Sequence, residues 1–179
     1  MTFPSWLRLV AVLFAALLFQ VCVLDEIIVS GTHPDAMVVL VAAAGVVGGP
    51  VRGAMVGFAA GLMADLAVRL PFGLSALSFT LVGFGVSFLS TAAAGRDLPG
   101  ARNALVLCGA LGGTLLYGLI GAILDQPGMV SEALTRALLV VGLGAIILGS
   151  PALWVLRWVL TPSAGPSGLA VPHGGSASA

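Results

Sequence analysis

The chain has 179 residues, of which 59% are hydrophobic and 8% are charged, and its mean hydropathy is +1.16. A soluble domain carries roughly 25% charged residues, so this composition excludes a fold in water and indicates a bilayer. The formal net charge is +0, and all seven basic residues are arginine. They form no basic patch of the kind that nucleic-acid binding requires.

Six apolar segments approach the roughly 20 residues that a membrane-spanning helix needs. They are residues 6–24, 36–50, 52–68, 73–92, 103–124 and 133–159. The first is predicted to be a retained span and not a cleaved signal peptide, because no small-residue cleavage site follows it. The sequence therefore predicts an all-α membrane protein, a polytopic bundle of six transmembrane helices within residues 1–160.

The arginines predict the orientation of this bundle. With both termini in the cytoplasm (N-in/C-in), five arginines lie inside and two outside, as the positive-inside rule favours. The inside set is Arg8, Arg52, Arg96, Arg102 and Arg157, and the outside set is Arg69 and Arg136. Trp6, Trp154 and Trp158 then fall at the cytoplasmic interface. Residues 161–179 are rich in Gly, Ser and Pro and are predicted to be a disordered cytoplasmic tail.

Small residues recur at near-helical spacing in three of the predicted helices. The sets are Gly53, Gly57 and Gly61, continued by Asp65; Ala76, Thr80, Gly83, Ser87 and Thr91; and Gly109 with Gly113. Such faces let helix backbones approach closely in a membrane. Two interpretations stay open, namely packing within the bundle and docking of a partner's helix.

The stretch GFAAGLMADLAVRLPFGLSAL, residues 57–77, places an acid between two apolar runs. Arg69 follows Asp65 by one helical turn, Pro71 and Gly73 break the helix, and Ser75 opens the next one. A carboxylate here can accept the unpaired amides at the N-terminus of that next helix. Asp65 is thus interpreted as a structural clamp, as part of a site for a partner or ligand at the outer side, or as an ion-coupling group.

This stretch resembles the central signature of the rod-shape-determining protein MreD, a bacterial inner-membrane family. The matching residues are Gly57, Phe58, Gly61, Leu62, Asp65, Leu66, Pro71, Gly73, Leu74, Ser75, Ala76 and Leu77. His33-Pro34-Asp35 before the second span is similar to the family as well, whereas the polar tail and Phe72 depart from it.

The resemblance implies a multi-pass scaffold of the inner membrane, in the elongasome that organises side-wall peptidoglycan synthesis and cell shape. Its expected partner is the membrane helix of MreC, in the company of membrane lipids. Through MreC it would connect to MreB filaments, to RodA and to a class B penicillin-binding transpeptidase.

The alternative is the substrate-binding subunit of an energy-coupling-factor vitamin transporter, whose six-helix architecture is similar. Ala11 and Ala15 have the spacing such subunits use for docking. The polar groups available for a pocket are few, namely Gln20, Thr114, Tyr117 and the small Ser/Thr stripe of the fourth helix. No catalytic residue, cofactor or metal site is predicted. The two cysteines lie in apolar runs and are expected to be buried, and the two histidines are isolated.

Overall fold

The computed structural model describes residues 3–24, 35–67, 73–92, 100–123 and 132–160, and these are almost entirely helical. The elements are α1 (Phe3–Phe19), which continues as a π-helix (Gln20–Leu24), then α2 (Ala36–Gly48), α3 (Pro50–Ala67), α4 (Leu74–Ala92), α5 (Ala101–Ile123) and α6 (Glu132–Leu160). All six predicted segments are helices, and the largest difference in a boundary is residue 6 against residue 3. The predicted tail, 161–179, lies outside the described residues.

Four stretches are long and apolar enough to cross a membrane, namely Leu7–Leu24, Leu74–Ala92, Ala101–Ile123 and Leu134–Leu160. The described part of the chain contains helices and no strand, so the protein is an all-helical membrane protein. The helix α2 is apolar but has 13 residues. The helix α3 has 18 residues and carries Arg52 and Asp65, which lower its hydropathy.

Local chemistry explains where several helices begin. The Oδ1 atom of Asp35 accepts from the amides of Met37 and Val38, at 2.9 and 3.1 Å, and so caps α2. Gly49 separates α2 from α3 with φ 82°, a conformation that favours glycine, and Pro50 opens α3. Gly73 and Gly100 precede α4 and α5 with φ 101° and 89°.

The short helix α2 forms the centre of the bundle. Each residue from Met37 to Gly45 is buried, and α2 contacts every other helix. A helix that is apolar on all sides is expected to be surrounded in this way. By contrast, α1 lies at the periphery, where Leu7, Val10 and Phe14 are exposed.

The helices α3 and α4 approach more closely than any side chain would permit. A Cβ atom at Gly53 would lie 2.5 Å from the Gly83 carbonyl oxygen, and one at Gly57 would overlap the Phe79 carbonyl. One turn further, a Cβ at Gly61 would overlap the backbone of α4 at its first turn. This face of α3 is therefore covered by α4, and packing within the bundle is the interpretation that holds for it.

The small-residue faces of α4 and α5 also pack within the bundle, except at Thr91. Gly109 and Gly113 of α5 face side chains of α2 and α4. On α4, Ala76, Gly83 and Ser87 are buried and Thr80 is half-buried, whereas Thr91 is exposed. Thr91 donates its hydroxyl to the Ser87 carbonyl at 3.0 Å, so its polar atom is satisfied within its own helix.

The substitution Gly61→Ala is expected to destabilise the protein by about 1–3 kcal/mol, because the added methyl forces the α3 and α4 backbones apart. Gly85→Ala on α4 is the matched control, since a Cβ there meets nothing within 4 Å. That change is expected to be neutral or stabilising, because alanine favours helix over glycine. Thermal unfolding in detergent measures both, and equal effects of the two variants would contradict the close contact.

Candidate functional site

Asp65 lies near the end of α3 and is 2% exposed. Its Oδ2 atom accepts from the amides of Gly73, at 2.9 Å, and Ala76, at 3.2 Å. Its Oδ1 atom accepts from the amide of Ser75 at 3.1 Å. Both carboxylate oxygens are therefore used to bind the first turn of α4.

This arrangement supplies the hydrogen-bond acceptors that the N-terminus of a helix lacks. The first amides of a helix have no partner within it, and its dipole favours negative charge there. Hydrogen bonds to an ionised acceptor are among the stronger ones in proteins, so three of them compensate the burial of one carboxylate. The predicted contact between Asp65 and the next helix is thus present. Arg69 and Pro71, predicted to belong to the same motif, lie outside the described residues.

The described motif residues lie along one seam between α3 and α4. Gly57 and Gly61 pack against the α4 backbone, Asp65 binds its first amides, and Gly73 and Ser75 supply two of those amides. The structure therefore brings together five of the seven predicted site residues. What they do in this geometry is to fix two helices against each other.

A cavity of about 290 Å³ lies beside this seam, at the end of the bundle where α2 begins and α3 ends. Its apolar wall includes Leu17, Val38 and Phe79. Polar side chains from four segments also line it: Gln20, Asp35, Ser75, Thr114 and Tyr117. We call this the polar cavity.

Several polar groups of the cavity form hydrogen bonds with their own helix or with a neighbouring one. The Oε1 atom of Gln20 accepts from the amide of Ala36 at 2.7 Å, which links the π-helix to the start of α2. Thr114 donates its hydroxyl to the Ala110 carbonyl at 3.0 Å. The Tyr117 side chain interacts with that of Ser75. The cavity therefore has a preorganised polar lining above an apolar floor, which suits a small amphiphilic ligand.

Sequence reasoning missed this cavity although it named all five of the polar residues that line it. Gln20, Thr114 and Tyr117 belong to α5 and the π-helix, far apart in sequence, and each looks isolated in an apolar run. The one local signal is the i, i+3 spacing of Thr114 and Tyr117, which places both on one face of α5.

The expectation of buried cysteines is wrong. Cys22 and Cys108 are both exposed on the apolar outer surface, because the helices that carry them turn those positions away from the core. Among the described residues no three His, Cys, Asp or Glu side chains group in a way that could hold a metal ion.

Comparison of the chain with protein-family models, with curated proteins and with solved structures finds no match. The similarity to MreD therefore depends on the residues of the α3–α4 seam and on their spacing.

The substitution Asp65→Asn is expected to cost about 1–3 kcal/mol, because an amide nitrogen would replace one of two oxygens that both accept from backbone amides. Asp35→Asn is the matched control. There one oxygen, Oδ1, accepts both bonds from α2, and asparagine caps helices about as well as aspartate. Unfolding in detergent is the measurement, and an equal loss in the two variants would refute a special role for the Asp65 carboxylate.

Proposed function

We propose that this protein is a non-catalytic scaffold of the bacterial cell-elongation complex, of the MreD type, located in the inner membrane. One observation carries the proposal. The residues that resemble the MreD signature include those that build the α3–α4 seam, from Gly57 and Gly61 to the capping carboxylate of Asp65.

A scaffold depends on helices that are held in fixed positions, and it does not need reactive side chains. The Asp65 carboxylate has its oxygens engaged by backbone amides, so it serves structure in this state and not proton transfer. This engagement supports the structural interpretation of Asp65, which fits a scaffold.

The proposed topology has six spans with both termini in the cytoplasm. The starts of α1 and α3 and the end of α6 meet at one end of the bundle, where Arg8 contacts Trp158 and Arg52 contacts Leu160. We call this the arginine end. The carboxylates that the structure describes, those of Asp35 and Asp65, belong to helix termini at the opposite end. The positive-inside rule then supports placing the arginine end in the cytoplasm.

The partner's helix needs a surface that the bundle does not already use. The glycines of α3 are covered, but Gly85 of α4 and Gly112 of α5 face open space. They line a groove of about 340 Å³ together with leucines such as Leu81 and Leu116. Small residues permit a close helix contact in lipid, so this α4–α5 groove is the surface we assign to the MreC helix.

The double substitution Gly85→Leu and Gly112→Leu is expected to reduce recovery of MreC with the tagged protein at least severalfold, because the side chains fill the α4–α5 groove. The control is Ala104→Leu, which adds similar bulk at an exposed position of α5. Both variants are purified from the host in mild detergent and analysed by quantitative mass spectrometry. If MreC is recovered equally from both, this groove is not the binding surface.

A second candidate function is favoured by the polar cavity. Its lining would suit the substrate-binding subunit of an energy-coupling-factor vitamin transporter, in which a small molecule enters from the outer side. Asp35 and Ser75 line the cavity together with Gln20, Thr114 and Tyr117. The cavity therefore has more polar side chains than the sequence led us to expect.

One pull-down distinguishes the two functions. The tagged protein is isolated from its own host, and its partners are identified by mass spectrometry. The scaffold proposal expects MreC with wall synthases, whereas recovery of an ATPase pair with a large coupling protein would overturn it in favour of a transport subunit. Tyr117→Phe and Gln20→Leu would then be expected to weaken vitamin binding, since each removes a polar group from the cavity.

A further inference from the structure

Arg8 and Trp158 form a cation–π contact at the arginine end. The Arg8 guanidinium carbon lies 5.1 Å from the centre of the Trp158 ring. Both residues are exposed, and Trp158 keeps 57% of its surface accessible. Because Arg8 is exposed, the N–H groups of its guanidinium can be reached by an acceptor from outside the bundle.

An apolar groove of about 400 Å³ begins one helical turn beyond this pair and runs along α1 to the level of Ala36, the first residue of α2. We call it the α1–α6 groove. Its lining includes Val12, Ala15 and Phe19 of α1 and Leu148, Pro151 and Val155 of α6.

The groove and the cation–π pair lie on the same faces of α1 and α6. Val12 follows Arg8 by four residues on α1, and Val155 precedes Trp158 by three on α6. Side chains at these spacings share one helix face. The groove therefore begins about one helical turn from the guanidinium.

The groove is apolar and opens onto the outer surface of the bundle, where Ala15 and Phe19 are exposed. In a bilayer such a surface faces the acyl chains of the surrounding lipid. A hydrocarbon chain is therefore the occupant we assign to it.

The positive charge of the arginine end favours an anionic lipid headgroup. Arg52 also lies here, with Nη1 at 3.4 Å from the Leu160 carbonyl oxygen. The carboxylates that the structure describes, Asp35 and Asp65, are at helix termini of the opposite end. An anionic headgroup is therefore attracted by nearby arginines and meets no described acid at this end.

We propose that Arg8, Trp158 and the α1–α6 groove form a binding site for one anionic phospholipid. The guanidinium of Arg8 donates to phosphate oxygens, as arginine does in bidentate phosphate recognition. Trp158 holds the guanidinium at the depth of the membrane interface, where tryptophan is favoured. One acyl chain lies in the groove along α1. The site does not depend on which partner the protein has.

Native mass spectrometry of the detergent-solubilised protein tests the headgroup half of the site. Phosphatidylglycerol and phosphatidylcholine with identical acyl chains are titrated separately, and phosphatidylglycerol is expected to bind more tightly. Arg8→Gln is expected to weaken its binding about fivefold, the effect of one basic residue at an anionic surface. Arg102→Gln on α5, also exposed, removes the same charge away from the groove and is expected to change little. Equal binding of the two lipids, or equal losses in the two variants, would overturn the proposal.

The variant Ala15→Phe tests the acyl-chain half. Ala15 is exposed and lines the groove, so phenylalanine fills it without altering charge or the core. Phosphatidylglycerol binding is expected to fall severalfold while thermal stability in lipid-free detergent is retained. Unchanged lipid binding would overturn the proposal. So would a dimer in the native spectrum that Ala15→Phe dissociates, since the groove would then hold a second copy.

Discussion

The rest of the fold depends on the backbone contact between α3 and α4. Inside a bilayer the hydrophobic effect does not draw helices together, so association depends on close packing and hydrogen bonds. The glycines of α3 bring the two backbones together, and Asp65 adds three hydrogen bonds where α4 begins. Gly45 of α2 then packs against Gly83 and the start of α3. Three helices thus meet through glycines, and α5 and α6 pack around them.

Three charged residues lie at helix ends that favour their sign. Asp35 and Asp65 accept from the first amides of α2 and α4, while Arg52 approaches a carbonyl at the last residue of α6. The helix dipole and the unpaired backbone groups favour an acid at a helix start and a base at a helix end. An apolar chain can keep these three side chains because each one satisfies backbone atoms that the membrane would otherwise leave without partners.

The sequence was sufficient to predict the six helices, because apolar length and Gly/Pro breaks are local signals. It also predicted the Asp65 contact, since an acid one turn before a helix break and a new N-terminus leave few other partners. It did not indicate that α2 is the central helix, because an apolar segment without a polar face has no preferred direction of burial. The polar cavity was missed for a related reason. Its polar lining comes from four segments, and their convergence depends on crossing angles that are set by packing.

The polar cavity and the α1–α6 groove share one wall, which is formed by the α1 segment. Leu17, Gln20 and Val21 of the α1 segment line the polar cavity, while Val12, Ala15 and Phe19 line the α1–α6 groove. This segment is also the least anchored, since Leu9, Leu13 and Leu24 are its buried hydrophobic residues and many of its other apolar side chains are exposed. The α3–α4 seam, by contrast, leaves no space at its glycines. Segments with few buried contacts open at the lowest free energy. A ligand in the polar cavity or in the α1–α6 groove would therefore contact the least anchored segment, α1, while the α3–α4 seam holds the remaining helices in place.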